Sequence, residues 1–135
     1  MFIDTHAHLF FENFKEDVDD VIQRAKDNSI DFIVVPATDI KTAKEAIALA
    51  EKYEQIYATV GIHPHDTKDW NESLISEIEA LAKHPKVVAI GEIGLDYYYD
   101  FSPQDQQIKA FKSQLDLALK LELPVVIHNR DSDED

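Results

Sequence analysis

The chain has 135 residues, 13 basic against 27 acidic, a formal net charge of −14 and no cysteine. That length fits one domain or part of a larger one, and the lack of cysteine excludes a disulfide framework, a zinc ribbon and a cysteine nucleophile. At 44% hydrophobic it can build a core, so it is no disordered acidic tail, and its charge argues against blanketing a nucleic-acid backbone with Lys and Arg.

A site that grips one phosphate through metal ions stays open, because a divalent cation reverses the local field. No apolar run approaches the roughly 20 residues that span a bilayer. Met1 leads straight into Phe2-Ile3-Asp4, with no room for a signal segment. A cytoplasmic protein without membrane contact is expected.

In chain order, Phe2-Ile3-Asp4-Thr5-His6 reads as a strand, and Phe14, Val18, Val21, Ile22 and Ala25 mark one face of a helix. The strand Asp31-Phe32-Ile33-Val34-Val35 precedes a helix with Ala43, Ala46, Ile47 and Ala50 on one face. Ile56-Tyr57-Ala58-Thr59-Val60 is the next strand, followed by a helical stripe of Leu74, Ile75, Ile78, Leu81 and Ala82. After the strand Val87-Val88-Ala89-Ile90, a fourth helix presents Ile108, Phe111, Leu115, Ala118 and Leu119. Ser102 is its expected cap, Pro103 its first residue and Asp105 the partner in a capping-box-like pattern. Pro124-Val125-Val126-Ile127-His128 is the last strand. Three of the five runs are nearly continuous in apolar residues, as in strands covered on both faces.

Alternation of this kind is a βαβ series with a parallel sheet. A flavodoxin-like open sheet and a (β/α)8 barrel both fit. A barrel of about 250 residues spends about 31 on each βα unit, so this chain holds just over four of its eight units.

His6 and His8 flank Ala7 at the end of the first strand, and a period of two puts both rings on one side, forming half of a metal site. Gly61-Ile62-His63-Pro64-His65-Asp66 places two more histidines past the third strand, with a solvated loop as the alternative for His65. Glu92 directly follows an apolar run that would not tolerate an unpaired charge. Its carboxylate can bridge two metals, and Gly91 and Gly94 permit close backbone approach there. His128 ends the fifth strand with Arg130 two residues on, a pairing that suits a metal-held phosphate; a surface pair with Asp131 or Asp133 is the alternative for Arg130. His84, at the end of the third helix, is assigned no function. Four of five strands thus end in His, Glu or His-x-His, and the opposite strand ends carry none, as on a barrel rim with a polynuclear metal site.

Four blocks, Ile3-Asp4-Thr5-His6-Ala7-His8-Leu9, Gly61-Ile62-His63-Pro64-His65, Gly91-Glu92-Ile93-Gly94-Leu95-Asp96-Tyr97 and Pro124-Val125-Val126-Ile127-His128-Asn129-Arg130, resemble the TatD family in order and over nearly the whole chain. That family comprises metal-dependent deoxyribonucleases of the amidohydrolase superfamily. The resemblance implies a (β/α)8 barrel, of which this chain supplies about the first five strands and four helices, with two divalent metal ions (Mg, Mn or Zn) and DNA, often its 3′ end, as substrate. Carried over, His6 and His8 hold one metal, Glu92 bridges both and His128 holds the second. His63 lies near the substrate phosphate, with Arg130 and Asp96 in support. Phe10 stands where the family usually has Asp or Asn, and Ser132 where it has Thr or Ala. The family's remaining His and Asp ligands come from the second half of the barrel, expected in the same chain or in trans.

A carbon–nitrogen hydrolase of the same superfamily is the second reading, disfavoured because those enzymes often carry a modified Lys where Glu92 stands. A catalytically incomplete metal-binding fragment is the third.

Overall fold

The computed structural model describes residues 1–99 and 101–135. Five strands alternate with four α-helices: β1 (Phe2–Asp4), α1 (Val18–Asp27), β2 (Ile30–Pro36), α2 (Ile40–Lys52), β3 (Ile56–Val60), α3 (Ser73–Ala82), β4 (Val87–Asp96), α4 (Gln104–Leu121) and β5 (Val125–Arg130). All neighbouring pairs are parallel, in the order β1-β2-β3-β4-β5. A doubly wound sheet reverses its order at a switch point. A strictly sequential order is the wall of a (β/α)8 barrel, which removes the flavodoxin-like alternative.

Right-handed crossovers running one way round put the helices on one face of the sheet. Ile33, Val35, Ile56, Ala58, Ile47 and Ile78 fill the core there. On the other face Ile3, Phe32, Val34, Tyr57 and Val88 line a shallow apolar hollow of about 260 Å³. Apart from the half-buried Tyr57 and Val88 at that hollow, β3 and β4 are buried, whereas all three residues of β1 are exposed and Ile127 of β5 is 56% exposed. Among the described residues no helix is long and apolar enough to cross a membrane.

Several expectations need correction. Phe14 lies in a short 3-10 turn, Glu12–Phe14, ahead of α1. Pro103 is the N-cap residue of α4 rather than its first residue, and Ser102 does not cap it; its hydroxyl donates to the His65 carbonyl at 2.8 Å. The buried face of α4 is Gln107, Ala110, Gln114, Leu117 and Ala118, whereas Leu119 is 80% exposed. The apolar stripe was rotated because two of the positions facing the sheet are glutamines. Their reason lies at the site.

Candidate metal centre

The first ligand group joins the end of β1 to β4. His6 and His8 lie just past β1, with Nε2 atoms 3.1 Å apart and 3.2 and 3.4 Å from Glu92 Oε2. His8 Nδ1 is 2.9 Å from the Pro36 carbonyl oxygen. A carbonyl only accepts, so in the neutral ring Nδ1 carries the hydrogen and Nε2 presents a lone pair. That lone pair faces another nitrogen and a carboxylate oxygen, an arrangement that a cation resolves. The donor set of two imidazoles and a carboxylate, all within 4.8 Å of one another, fits a divalent metal ion.

The second group joins the loop after β3 to β5. His63, His65 and His128 also bring donor atoms within 4.8 Å of one another. His128 Nδ1 lies 3.0 Å from Glu92 Oε1 and its Nε2 lies 2.8 Å from Asp96 Oδ2. A neutral imidazole has one hydrogen for these two carboxylates, so one nitrogen again turns a lone pair toward negative charge. His65 Nε2 reaches the same Asp96 oxygen at 2.7 Å. The sequence-based ligand set omitted His65; the second His-x-His spacing was its signal. His63 Nδ1 accepts from the His65 backbone N–H at 3.1 Å, which leaves Nε2–H as the free donor, 3.8 Å from Glu92 Oε1.

Burial pushes the Glu92 carboxyl up, but His8, His63, His6 and His128 around it outweigh burial and hold it at about 2. Burial likewise opposes ionisation of Asp96; the Tyr99 N–H, His65 and His128 overcome it and keep that carboxyl well below the usual range. Burial lowers His63 to about 4, so its ring is neutral near pH 7.

The strand that ends without a candidate ligand is the one that anchors the others. Beyond β2, the Ala37 carbonyl accepts from Glu92 N–H and the Thr38 carbonyl from His63 N–H, both at 2.8 Å, alongside the Pro36 bond to His8. Thr38 is itself fixed by the Asp39–Thr42 capping box of α2. The register of β4 against β5 shifts between Ile90 and Ile93, the stretch that carries Glu92.

From the helix side, α4 clamps the loop after β3 and the end of β4, both beside the second group. Gln114 Oε1 accepts from Ile62 N–H at 2.7 Å while its Nε2 donates to Ile62 O at 3.1 Å. Seven residues earlier, Gln107 does the same for Asp96, at 2.8 and 3.0 Å. Gly94 has φ +139°, and a Cβ there would collide with the His128 carbonyl, so only glycine lets β5 approach.

Arg130 is exposed, with its guanidinium 3.9 Å from the ring centroid of Tyr98 and 5.0 Å from that of Tyr99. Among the described residues neither Asp131 nor Asp133 pairs with it. Of the two departures from the family pattern, Phe10 packs edge-on to His8, and Ser132 is buried with its hydroxyl on Asn129 and the Leu95 carbonyl. His84 lies outside both groups, 3.2 Å from Glu51 on the surface.

The sequence matches the family described as TatD related DNase over residues 3–135. It is 47% identical over its full length to an uncharacterized metal-dependent hydrolase, YabD, of Bacillus subtilis, of which it covers 53%. Over 97% of its length it is 38% identical to the 3′-5′ ssDNA/RNA exonuclease TatD of Salmonella typhimurium, covering 50% of that protein. The fold superposes on the crystal structure of the Escherichia coli TatD homolog YJJV with a TM-score of 0.90 and 36% identity, covering 97% of this chain and 51% of that one. The chain therefore spans about half the length of the relatives it matches, and that half carries the first five strands of their barrel. Matched in sequence from Ile3 to Asp135 and in fold across the same strands, the chain belongs to the TatD-related DNase family.

Proposed function

We propose that the protein hydrolyses phosphodiester bonds of DNA with two divalent metal ions, one held by His6, His8 and Glu92 and the other by Glu92 and His128. The observation that carries this reading is the placement of Glu92. One oxygen of its carboxylate meets His6 and His8, and the other meets His128. A single charge thus serves both ligand groups. When bound, the ions would stabilise charge on phosphoryl oxygens and acidify a water.

The chain's own residues do the rest. His63, neutral and with only Nε2–H free, donates a hydrogen bond to a phosphate oxygen instead of binding metal. Asp96, anchored by the Tyr98 and Tyr99 N–H groups at 3.1 and 3.0 Å, orients His65 and His128. Arg130, two residues past His128, grips a second phosphate oxygen. Single-stranded 3′ ends are the proposed substrate, in keeping with the name of the Salmonella relative. The cysteine-free composition suits a reducing compartment, and we place the activity in the cytoplasm.

Residues 1–135 alone should hold metal weakly and lack nuclease activity, because the open edges at β1 and β5 and the bare apolar hollow leave the barrel wall unfinished. The experiment follows release of nucleotides from 3′-labelled single-stranded DNA with Mg²⁺ or Mn²⁺, with and without the carboxyl-terminal barrel half supplied in the same chain or in trans. Activity that appears only with that half supports the reading. No cleavage by the completed protein overturns it, as ordinary turnover by residues 1–135 overturns the need for a second half.

A further inference from the structure

Large aromatic side chains stand exposed on both flanks of the metal-ligand row. Phe11, 46% exposed, lies nearly flat against His8 of the first group, with centroids 5.0 Å apart and planes at 20°. Phe101, 57% exposed, meets His65 of the second group edge-on at 4.9 Å. Both line the cavity of about 590 Å³ that holds Glu92 and His63. From Phe101 the aromatic surface continues outward. Tyr99 stacks on it with planes at 12°, Tyr98 abuts Tyr99, and Arg130 caps Tyr98.

A contiguous exposed aromatic surface around a polar site marks a binding surface. Its occupant is set by the charge around it. The chain carries a net charge of −14, and among the described residues Lys68 is the only Lys or Arg lining the cavity. These residues therefore offer few side-chain cations to neutralise the phosphates along a strand. Every nucleobase has a π-face, however, and stacking on aromatics holds single strands with little regard to sequence. In a duplex those faces are already covered.

We infer that Phe11 on one flank, and Phe101 with Tyr99 and Tyr98 on the other, form a base-stacking site that seats unpaired bases of a single-stranded nucleic acid on either side of the phosphate to be cleaved. The inference rests on the phosphodiesterase reading and adds the part of the substrate that is gripped: bases more than backbone.

The test uses the protein completed with its carboxyl-terminal half and two single-stranded oligonucleotides of equal length. One carries thymine throughout, and the other has tetrahydrofuran abasic residues at its last positions. The phosphates are identical, so only the bases differ, and the Phe variants isolate the stacking. Cleavage efficiency is read as kcat/KM, and binding by fluorescence anisotropy. The base-bearing strand should be favoured about tenfold or more. Phe11→Leu and Phe101→Leu should each erode that preference, and Phe101→Tyr should restore it. Equal handling of both strands by the wild-type protein overturns the inference. So do leucine variants that keep the preference and instead lower the Tm of the completed protein, which would make the patch a packing surface for the second half. If neither strand is cleaved but the base-bearing one binds more tightly in a Phe-dependent way, stacking stands and the nuclease reading fails.

Discussion

The His6, His8 and Glu92 group is lightly held, whereas the His63, His65 and His128 group is braced by buried polar bonds. His6 has a 41% exposed side chain and follows a strand of three residues at the edge of the sheet. Its neighbour His8 is fixed by one ring bond to the Pro36 carbonyl. Around the second group, its partner Asp96 is fully buried, His63 is nearly so, and the glutamines of α4 satisfy the backbone on both sides. The second group is thus ordered by bonds within the chain itself. The first takes its order from β1, whose outer edge is open to whatever closes the barrel. Among the described residues, only Glu92 contacts both.

The largest expected effect breaks that shared element. Glu92→Gln keeps the shape and removes the charge that His6, His8 and His128 surround. Metal binding should weaken at both groups together, and turnover of the completed protein should fall by orders of magnitude. Elemental analysis of the dialysed variant checks the first and a nuclease assay the second. Near wild-type stoichiometry would show that the groups do not depend on a common carboxylate.

A smaller effect isolates the braced group. Gln114→Leu fits the volume but strands the Ile62 N–H and C=O, each worth about 1–3 kcal/mol when buried without a partner. Stability should drop by about 3 kcal/mol, or about 10 °C in Tm. His63, next to Ile62, should lose its placement while metal at His6, His8 and Glu92 is retained. Calorimetry with metal titration separates these outcomes. Equal loss of metal at both groups would dissolve the contrast between them.

This bracing explains what was legible in the sequence and what was not. The strands were legible because short apolar runs bounded by turn residues suit buried strands, and the candidate ligands because His and Glu at strand ends stand out against them. Gln107 and Gln114 were illegible, since a helix face is read by its apolar residues and an amide bonded to backbone carries no periodic signal. The carbonyls of Pro36, Ala37 and Thr38 were illegible for a deeper reason. Main-chain acceptors are common to every residue, so the ligand-free strand that anchors its neighbours is visible only in three dimensions. His65 fell between: its spacing repeats that of His6 and His8, but only the fold shows Asp96 waiting for it.

The smallest expected effect is a slope. Burial lowers His63 to about 4 from an ordinary 6.5. Between those values the unfolded chain binds a proton at this ring and the folded chain does not. Stability from His63 is therefore complete above pH 6.5 and is lost as pH falls toward 4, by up to about 1.4 kcal/mol per pH unit. Glu92 and Asp96, with depressed carboxyls, contribute stability that is present above the usual carboxylate range and is lost only below it, so they leave the window from pH 6.5 to 5 to the histidine. In metal-free protein, His63→Gln should flatten the dependence of unfolding free energy on pH across that window, measured by urea denaturation at intervals of half a pH unit. The comparison between the groups sharpens here as well. His63 owes its low value first to burial, so Gln114→Leu, by loosening the backbone at Ile62 beside it, should flatten the slope in the same direction and by less. A slope unchanged in both variants would mean that the ring is not held neutral by its surroundings, and that the braced group is no better ordered than the exposed one.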